Sequence, residues 1–370
     1  MEIRKKIIIV AAIMIALATV AIVCLNEVGM LTRGKTKLER TNGTTVVPTM
    51  LDELTADSTW CGTFQLIWND MKKEVAKQDV VFTPQEVMAD NLNKESFNES
   101  MLSEEYYYKT YGLKTLELTE EIEKGIKEKF NQTSDILDKF DWSEDALYDP
   151  NDHSTNRYFF YTMLYREFEY ENEFDKLPEG TFGEYTGIKY FGIDKNTKDK
   201  VGNQIDVLYY NSKDDFAIVL NTKTNDEVIF VKNPQGTTFK AIYEDMLKES
   251  KEYNGSKYFE DIDEFKAPML EYNEEREYTE LQNKEFPTAN GIGTIIKTIQ
   301  TIKFELNEKG GKIKSEAAID MNMTATAVIV DKKPTPRYFY VDDTFAIFLR
   351  EKGKSMPYFA GRVEDITKYQ

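Results

Sequence analysis

Reactive side chains are scarce in this chain, and their scarcity is informative. The single histidine, His153, sits in the polar stretch DPNDHST. A histidine general base needs a nucleophile and an orienting group beside it, and with one imidazole no histidine-paired serine or cysteine constellation has much room. The ordinary reading of His153 is a surface-loop residue. The two cysteines, Cys24 and Cys61, do not form a zinc spacing with it. The run DKNTKDK from Asp194 to Lys200 has the alternating acids of a calcium loop, but lysines stand where oxygen ligands are required and the central glycine is missing. GIGTII from Gly291 lacks the third glycine and the βαβ setting of a dinucleotide fingerprint. The many carboxylates spread as a solvated surface without singling out an acid–base pair. With 47 Lys and Arg against 65 Asp and Glu, the net charge of −18 argues against nucleic acid as a partner. The sequence therefore predicts no enzyme activity, no cofactor and no metal site.

One segment is organised for a different kind of chemistry. From Ser315 the residues fall into two alternating sets. Ser315, Ala317, Ile319, Met321, Met323, Ala325, Ala327 and Ile329 form a small, apolar set, whereas Glu316, Ala318, Asp320, Asn322, Thr324, Thr326 and Val328 are mostly polar. An extended chain sends these sets to opposite faces. This is a strand with unusually small side chains.

The elements that must position it follow from composition and period. Hydrophobic residues at 41% and aromatics at 13% supply a real core. At the amino end, Arg4, Lys5 and Lys6 precede an uncharged apolar run from Ile7 to Leu25, about the length that crosses a bilayer once. Residues 1–25 thus read as a transmembrane anchor, with a cleaved signal peptide as the alternative. Val23 before Cys24 suits a lipid-attachment site poorly. Residues 26–51 read as an extracellular linker and 52–370 as the folded domain. Cys61 is then the one cysteine of that domain, and an internal disulfide is impossible.

Within the domain, STWCGTFQLIWNDMKKEVAK places Phe64, Ile67, Trp68 and Met71 on one helical face. TPQEV opens another helix with its proline near the first turn. LKTLEL reads as extended, and Thr119 as the N-cap of a helix striped by Ile122, Ile126 and Phe130. After Arg157 the pattern turns to strands: RYFFYTMLYREFEY, IKYFGI, QIDVLYY, DFAIVLNT, EVIFVKN, DEFKAPMLEYNEE, TIIKTIQTIKFELNEKGG, RYFYVDD, TFAIFLRE and MPYFAGRV. KAIYEDMLKESKEY interrupts them as a helix.

In that order of elements the chain resembles the serpin family. FELNEKGG followed by SEAA, at Phe304–Gly311 and Ser315–Ala318, is similar to the strand and hinge leading into a serpin reactive-centre loop. TFAIFLREKGKSMPYFAGRVED, from Thr344 to Asp365, is similar to the closing strand pair. LELTEEIEKGIKEKFNQTSDIL and YFFYTMLYREFEYENEF resemble the helix across the large sheet and the central strand after it. The resemblance implies an α+β fold with large mixed or antiparallel sheets, N-terminal helices and a C-terminal reactive-centre loop, here preceded by one transmembrane helix. It also implies a mechanism: a serine or cysteine protease cuts the loop, whose freed end enters the main sheet as a new strand. Gly310, Ser315, Glu316, Ala317 and Ala318 would form the hinge. The polar cluster that controls sheet opening would comprise Thr83, Glu86, Thr162 and Gln300, each a departure from the family residue, and Tyr170 replaces a tryptophan.

Loop length departs as well. Gly311 to Lys314 read as extra residues between strand and hinge. Counting from Ser315 places the scissile bond near Val328–Ile329, which suits an elastase-like protease; counting back from Phe345 places it near Lys332–Lys333, which suits a trypsin-like one. Two alternatives to the inhibitory reading stay open. NEKGGK is also a fit turn between antiparallel strands FEL and KIKSEAAI, already in the sheet. The chain would then be a non-inhibitory binding or structural module at the cell surface.

Overall fold

Alternation after Arg157 becomes strand, as the period requires. The computed structural model describes residues 41–142, 157–194, 201–314 and 335–370. In chain order its strands begin with β1 (Thr45–Val46), β2 (Ser58–Cys61), β3 (Tyr107–Leu113), β4 (Tyr158–Leu164), β5 (Arg166–Glu169), β6 (Asp175–Phe182) and β7 (Tyr185–Gly192). Next are β8 (Ile205–Ser212), β9 (Asp215–Asn221), β10 (Asp226–Lys232), β11 (Glu264–Pro268), β12 (Leu270–Glu277) and β13 (Glu285–Thr288). The last are β14 (Gly291–Thr294), β15 (Ile299–Asn307), β16 (Gly310–Lys314), β17 (Tyr338–Tyr340), β18 (Phe345–Glu351) and β19 (Phe359–Val363). The α-helices among the described residues are α1 (Thr63–Asp70), α2 (Val87–Lys94), α3 (Leu116–Phe130) and α4 (Phe239–Glu252).

The core is a seven-stranded sheet ordered β1-β2-β19-β18-β10-β9-β8. Its central strands are apolar on both faces because both are covered. Phe239 and Tyr243 of α4 meet Phe348 from one side, while Tyr272 and Phe304 meet Phe359 from the other. Those last two rings belong to a second sheet, β12-β15-β16-β5, antiparallel throughout. After Tyr165 alone, β5 continues β4, which pairs with β3. A third sheet, β17-β11-β7-β6, completes the strand layers, and β13 and β14 form a separate hairpin.

Several elements differ from the sequence reading, each for a physical reason. The α3 helix is capped by Thr115, whose hydroxyl accepts from the Leu118 amide at 3.2 Å, rather than by Thr119. Leu118 lies on the same buried stripe as Ile122 and Ile126, so burying it draws the helix back a turn and makes LEL helical. Pro84 precedes α2 instead of lying in its first turn, the N-cap being Glu86. The stretch expected as one strand around Pro268 is two strands in different sheets. The folded unit also begins before the expected linker ends. Val46, Val47 and Met50 are buried, β1 pairs with β2, and the Thr41 amide donates to the Asn273 carbonyl.

The segment FELNEKGGKIK is a hairpin. β15 turns at Glu308 and Lys309, and β16 returns between β15 and β5, placing Ile313 opposite Phe304 on one side and Arg166 on the other. Gly311–Lys314 are therefore not surplus loop but a fourth strand, and Gly310 begins it. Glycine is required there: Gly310 has φ +149°, and a Cβ on it would lie 2.1 Å from the Phe168 carbonyl oxygen. A Cβ on Gly311 would lie 2.4 Å from the Phe168 ring.

Gly310→Ala should therefore force β16 away from β5. The expected cost is about 2 kcal/mol in urea unfolding, with faster amide exchange over Gly311–Lys314. Unchanged exchange would show that this pairing does not hold the strand.

Candidate functional site

Beyond Lys314 the described strands of the second sheet diverge. Among the described residues, Ile299–Ile302 of β15 pair with β12, since the β15–β16 register begins at Lys303. Across from them, Tyr158–Leu164 of β4 pair, among the described residues, with β3. Between these rims lies a cleft of about 1250 Å³, bordered by Lys314 at its upper end. Its floor is the α1 side chains Phe64, Ile67 and Trp68, and the β4 wall includes Phe160 and Thr162.

Alternation on β4 explains its two faces. Phe159, Tyr161 and Met163 turn outward under α3, packed with Leu118, Ile122 and Ile126. Leu164 and, past Tyr165, Arg166 and Phe168 turn inward, so Thr162 shares the inward phase. On the facing rim Gln300 is buried and fully engaged. Its Oε1 accepts from the Tyr278 hydroxyl at 2.5 Å, and its Nε2 donates to the Cys61 carbonyl at 3.0 Å and Thr63 Oγ1 at 2.9 Å. The Tyr278 ring lies 4.4 Å from that of Phe64. Burial raises the Tyr278 hydroxyl far above the ordinary tyrosine range, so it stays protonated as a donor. This network ties the β15 rim to the start of α1. The Thr162 hydroxyl, opposite, is buried and has no hydrogen-bond partner.

The chain after α3 crosses in front of the cleft. Lys314 Nζ donates to the Thr133 carbonyl at 2.8 Å and to Asp135 at 2.9 Å, Lys303 pairs with Asp135 at 3.0 Å, and Lys297 donates to the Lys139 carbonyl at 2.8 Å. Burial works to raise the Asp135 carboxyl, but Lys314 and Lys303 more than offset it and hold it below the usual range. The strap thus links β16 and β15 over the gap.

The residues expected at the opening cluster separate in the structure. Gln300 and Thr162 line the cleft together. Thr83 is exposed, and Glu86 pairs with Lys284; neither is a partner of Gln300. Their places are taken by Thr63 and Tyr278. No spacing signal marks these two, because both reach Gln300 through tertiary packing. Tyr170 is buried beyond the end of β5, its ring 4.8 Å from Phe174, with its amide donating to the Lys309 carbonyl at the hairpin turn. Ser315, Glu316, Ala317, Ala318, Val328, Ile329, Lys332 and Lys333 lie outside the described residues, as do His153 and most of DKNTKDK. Gly291 opens strand β14, and Cys61 is buried and in no disulfide. Among the described residues no helix is long and apolar enough to cross a membrane, and the run Ile7–Leu25 lies outside them.

No protein-family profile matches the sequence, and no curated protein matches it. The solved structures that it is similar to are serpins. Serpin48, a highly specific serpin of the insect Tenebrio molitor, is 17% identical over 71% of this chain and 78% of its own, with a TM-score of 0.35. Human thyroxine-binding globulin complexed with its hormone is 13% identical over 72% and 77%, with a TM-score of 0.38. A serpin from the trematode Schistosoma haematobium is 12% identical over 67% and 62%, with a TM-score of 0.37.

Gln300→Ala would strand the Tyr278 hydroxyl beside the cleft. A loss of about 2–4 kcal/mol is expected in equilibrium unfolding. A cost below about 0.5 kcal/mol would mean that the network does not brace the rim.

Proposed function

We propose that this chain is a divergent serpin-type inhibitor of serine or cysteine proteases, acting by insertion of its cut loop into the cleft between β15 and β4. The observation that supports this most is that β16 is seated between β15 and β5 directly ahead of Ser315, and that past it β15 and β4 each have one partner strand among the described residues. The β4 rim is seven residues long.

Register supplies a second support. Ile313 points into the core opposite Phe304, and Lys314 points outward toward Asp135. Continued without a slip, the same register would bring Ser315 opposite Ile302 and Ala317 opposite Gln300. The small apolar set would then face the core and Glu316 and Asp320 the strap side. Small residues suit that position, because Phe64 and Gln300 already fill the floor. The scissile bond on this reading lies between Val328 and Lys333, and the target protease is elastase-like or trypsin-like. The apolar run near the amino end would tether the domain on the outer face of a membrane, or be removed to release it.

A specific observation favours the other reading. Gly310–Ile313 are already paired on both sides, so the sheet is closed at its upper end before any cut. A non-inhibitory surface module of the same fold would keep that closure permanently.

The full chain clipped once between Val328 and Lys333 should melt higher than the uncut chain by about 10 °C or more. It should also form an SDS-resistant complex with an elastase-like or trypsin-like protease. An unchanged melting point with no complex would favour the module.

Ala317→Arg should convert the inhibitor into a substrate, because insertion would bury an unpaired guanidinium next to Gln300. Complex yield would fall at least about tenfold, equivalent to roughly 1.4 kcal/mol, while cleavage persists. Undiminished complex formation would show that the two faces are assigned the wrong way round.

A further inference from the structure

Past the upper end of the cleft, the strand that continues its β4 wall conceals a charge cluster that insertion does not use. Arg166 on β5 stands opposite Ile313 of β16, but its side chain turns inward and is only 2% exposed. Its Nε donates to Asp226 Oδ2 at 2.5 Å, its Nη2 to the Thr224 carbonyl at 3.0 Å, and its Nη1 lies 3.5 Å from Glu351 Oε2. The guanidinium is covered by the Tyr106 ring at 4.4 Å and flanked by that of Tyr358 at 5.8 Å. Tyr358 donates its hydroxyl to Asp226 Oδ1 at 2.7 Å.

Asp226 opens β10, Glu351 ends β18, and the two are direct partners in the register of the seven-stranded sheet. Both carboxyls are buried, at 1% and 0% exposure. One cation therefore faces two carboxyls where water cannot screen them. Asp226 is better served, with hydrogen bonds from Arg166, Tyr358 and Thr224. Glu351 Oε1 has no hydrogen-bond partner.

We propose that this cluster is a proton-sensitive clamp. While Glu351 holds its proton, β5 is fastened to the ends of β10 and β18; when Glu351 ionises, β5 loosens and with it the seat of β16 and the upper end of the β4 wall. The clamp stands on the uncut chain, and only its effect on insertion rests on the functional reading above.

Burial pushes the Glu351 carboxyl up to about 8, against the attraction of Arg166 and, more weakly, Lys354, with Asp226 and Glu105 reinforcing the rise. Burial also raises Asp226, with Arg166, the Tyr358 hydroxyl and Thr224 pulling it back. The Tyr358 hydroxyl is held far above its ordinary range by burial and by Asp226, and so stays neutral. At neutral pH the cluster is then Arg166 cation, Asp226 anion and neutral Glu351, which balances. Because the folded value of Glu351 lies above the unfolded one, its contribution is complete in acid. That contribution erodes as pH rises above the ordinary glutamate range and is gone once pH passes about 8.

The test measures melting of the uncut full chain from pH 6 to pH 9. The wild type should lose about 5 °C or more over that range, and Glu351→Gln should not. Amide exchange in β5 and β16, corrected for its intrinsic pH dependence, should speed up at pH 9 in the wild type alone. A wild-type melting point that is flat with pH, or a Gln variant with the same slope, would overturn the clamp. Should Glu351→Gln not fold, infrared spectra of the wild type decide instead. A protonated-carboxyl band present at pH 7 and lost by pH 9 supports the clamp, and its absence at pH 7 overturns it. If clipping leaves the melting point unchanged while this pH slope is seen, the insertion reading falls and the clamp remains.

Discussion

The hairpin return of β16 between β15 and β5 governs the rest of this structure. It exists because Gly310 and Gly311 let a backbone pass within contact of the Phe168 carbonyl and ring, where a Cβ would collide. Once the strand is seated, Ile313 is buried opposite Phe304 and Lys314 is turned to Asp135, as the two-residue period requires. Of the expected hinge, Gly310 is thus sheet, together with Gly311–Lys314 after it, and the rims beyond have one partner strand each among the described residues.

A strand edge without a neighbour is unfavourable for a protein to keep, since bare backbone donors and acceptors invite other strands. Three local devices brace the facing edges of β15 and β4 and the strands around them. Gln300 binds the β15 rim to Tyr278, Thr63 and the Cys61 carbonyl. α3 presses Phe159, Tyr161 and Met163 of the β4 rim from outside. The strap after α3 ties β15 to β16 at the upper end through Asp135, Lys303 and Lys314. The unpartnered Thr162 hydroxyl is the weak point of this arrangement, a buried oxygen facing the gap with its bonding capacity unspent.

The late strands were readable in the sequence because alternation and apolar runs are local signals. Val228–Val231 and Phe345–Leu349 could scarcely be anything else. The hairpin was readable only as one of two alternatives, since a glycine pair fits both a turn and a hinge. Thr115 was passed over as a cap because Leu118 is committed to the α3 stripe by strands β3 and β4, which contribute nothing to local sequence. The cleft network was half legible. Gln300 and Thr162 were found through resemblance, whereas Thr63 and Tyr278 are brought in by packing of α1 against the segment after β12. Arg166 was unremarkable within REFEY, for a buried arginine looks like any alternating strand charge until its partners, 60 and 185 residues away, are placed.

That arginine gives the fold its most consequential compromise. A phenylalanine or leucine would pack β5 against the seven-stranded sheet at lower desolvation cost, since replacing buried ion pairs by apolar groups is often stabilising. Arg166 instead makes the seat of β16 depend on a balance of charge shared by three strands: β5, β10 and β18. The same strand pairs with β16 on its other edge. A change in the protonation of Glu351 therefore reaches the hinge through one strand's width, with no long pathway to invoke. An apolar wall would hold equally well at every pH. The retained charge is what makes the strength of the hold adjustable.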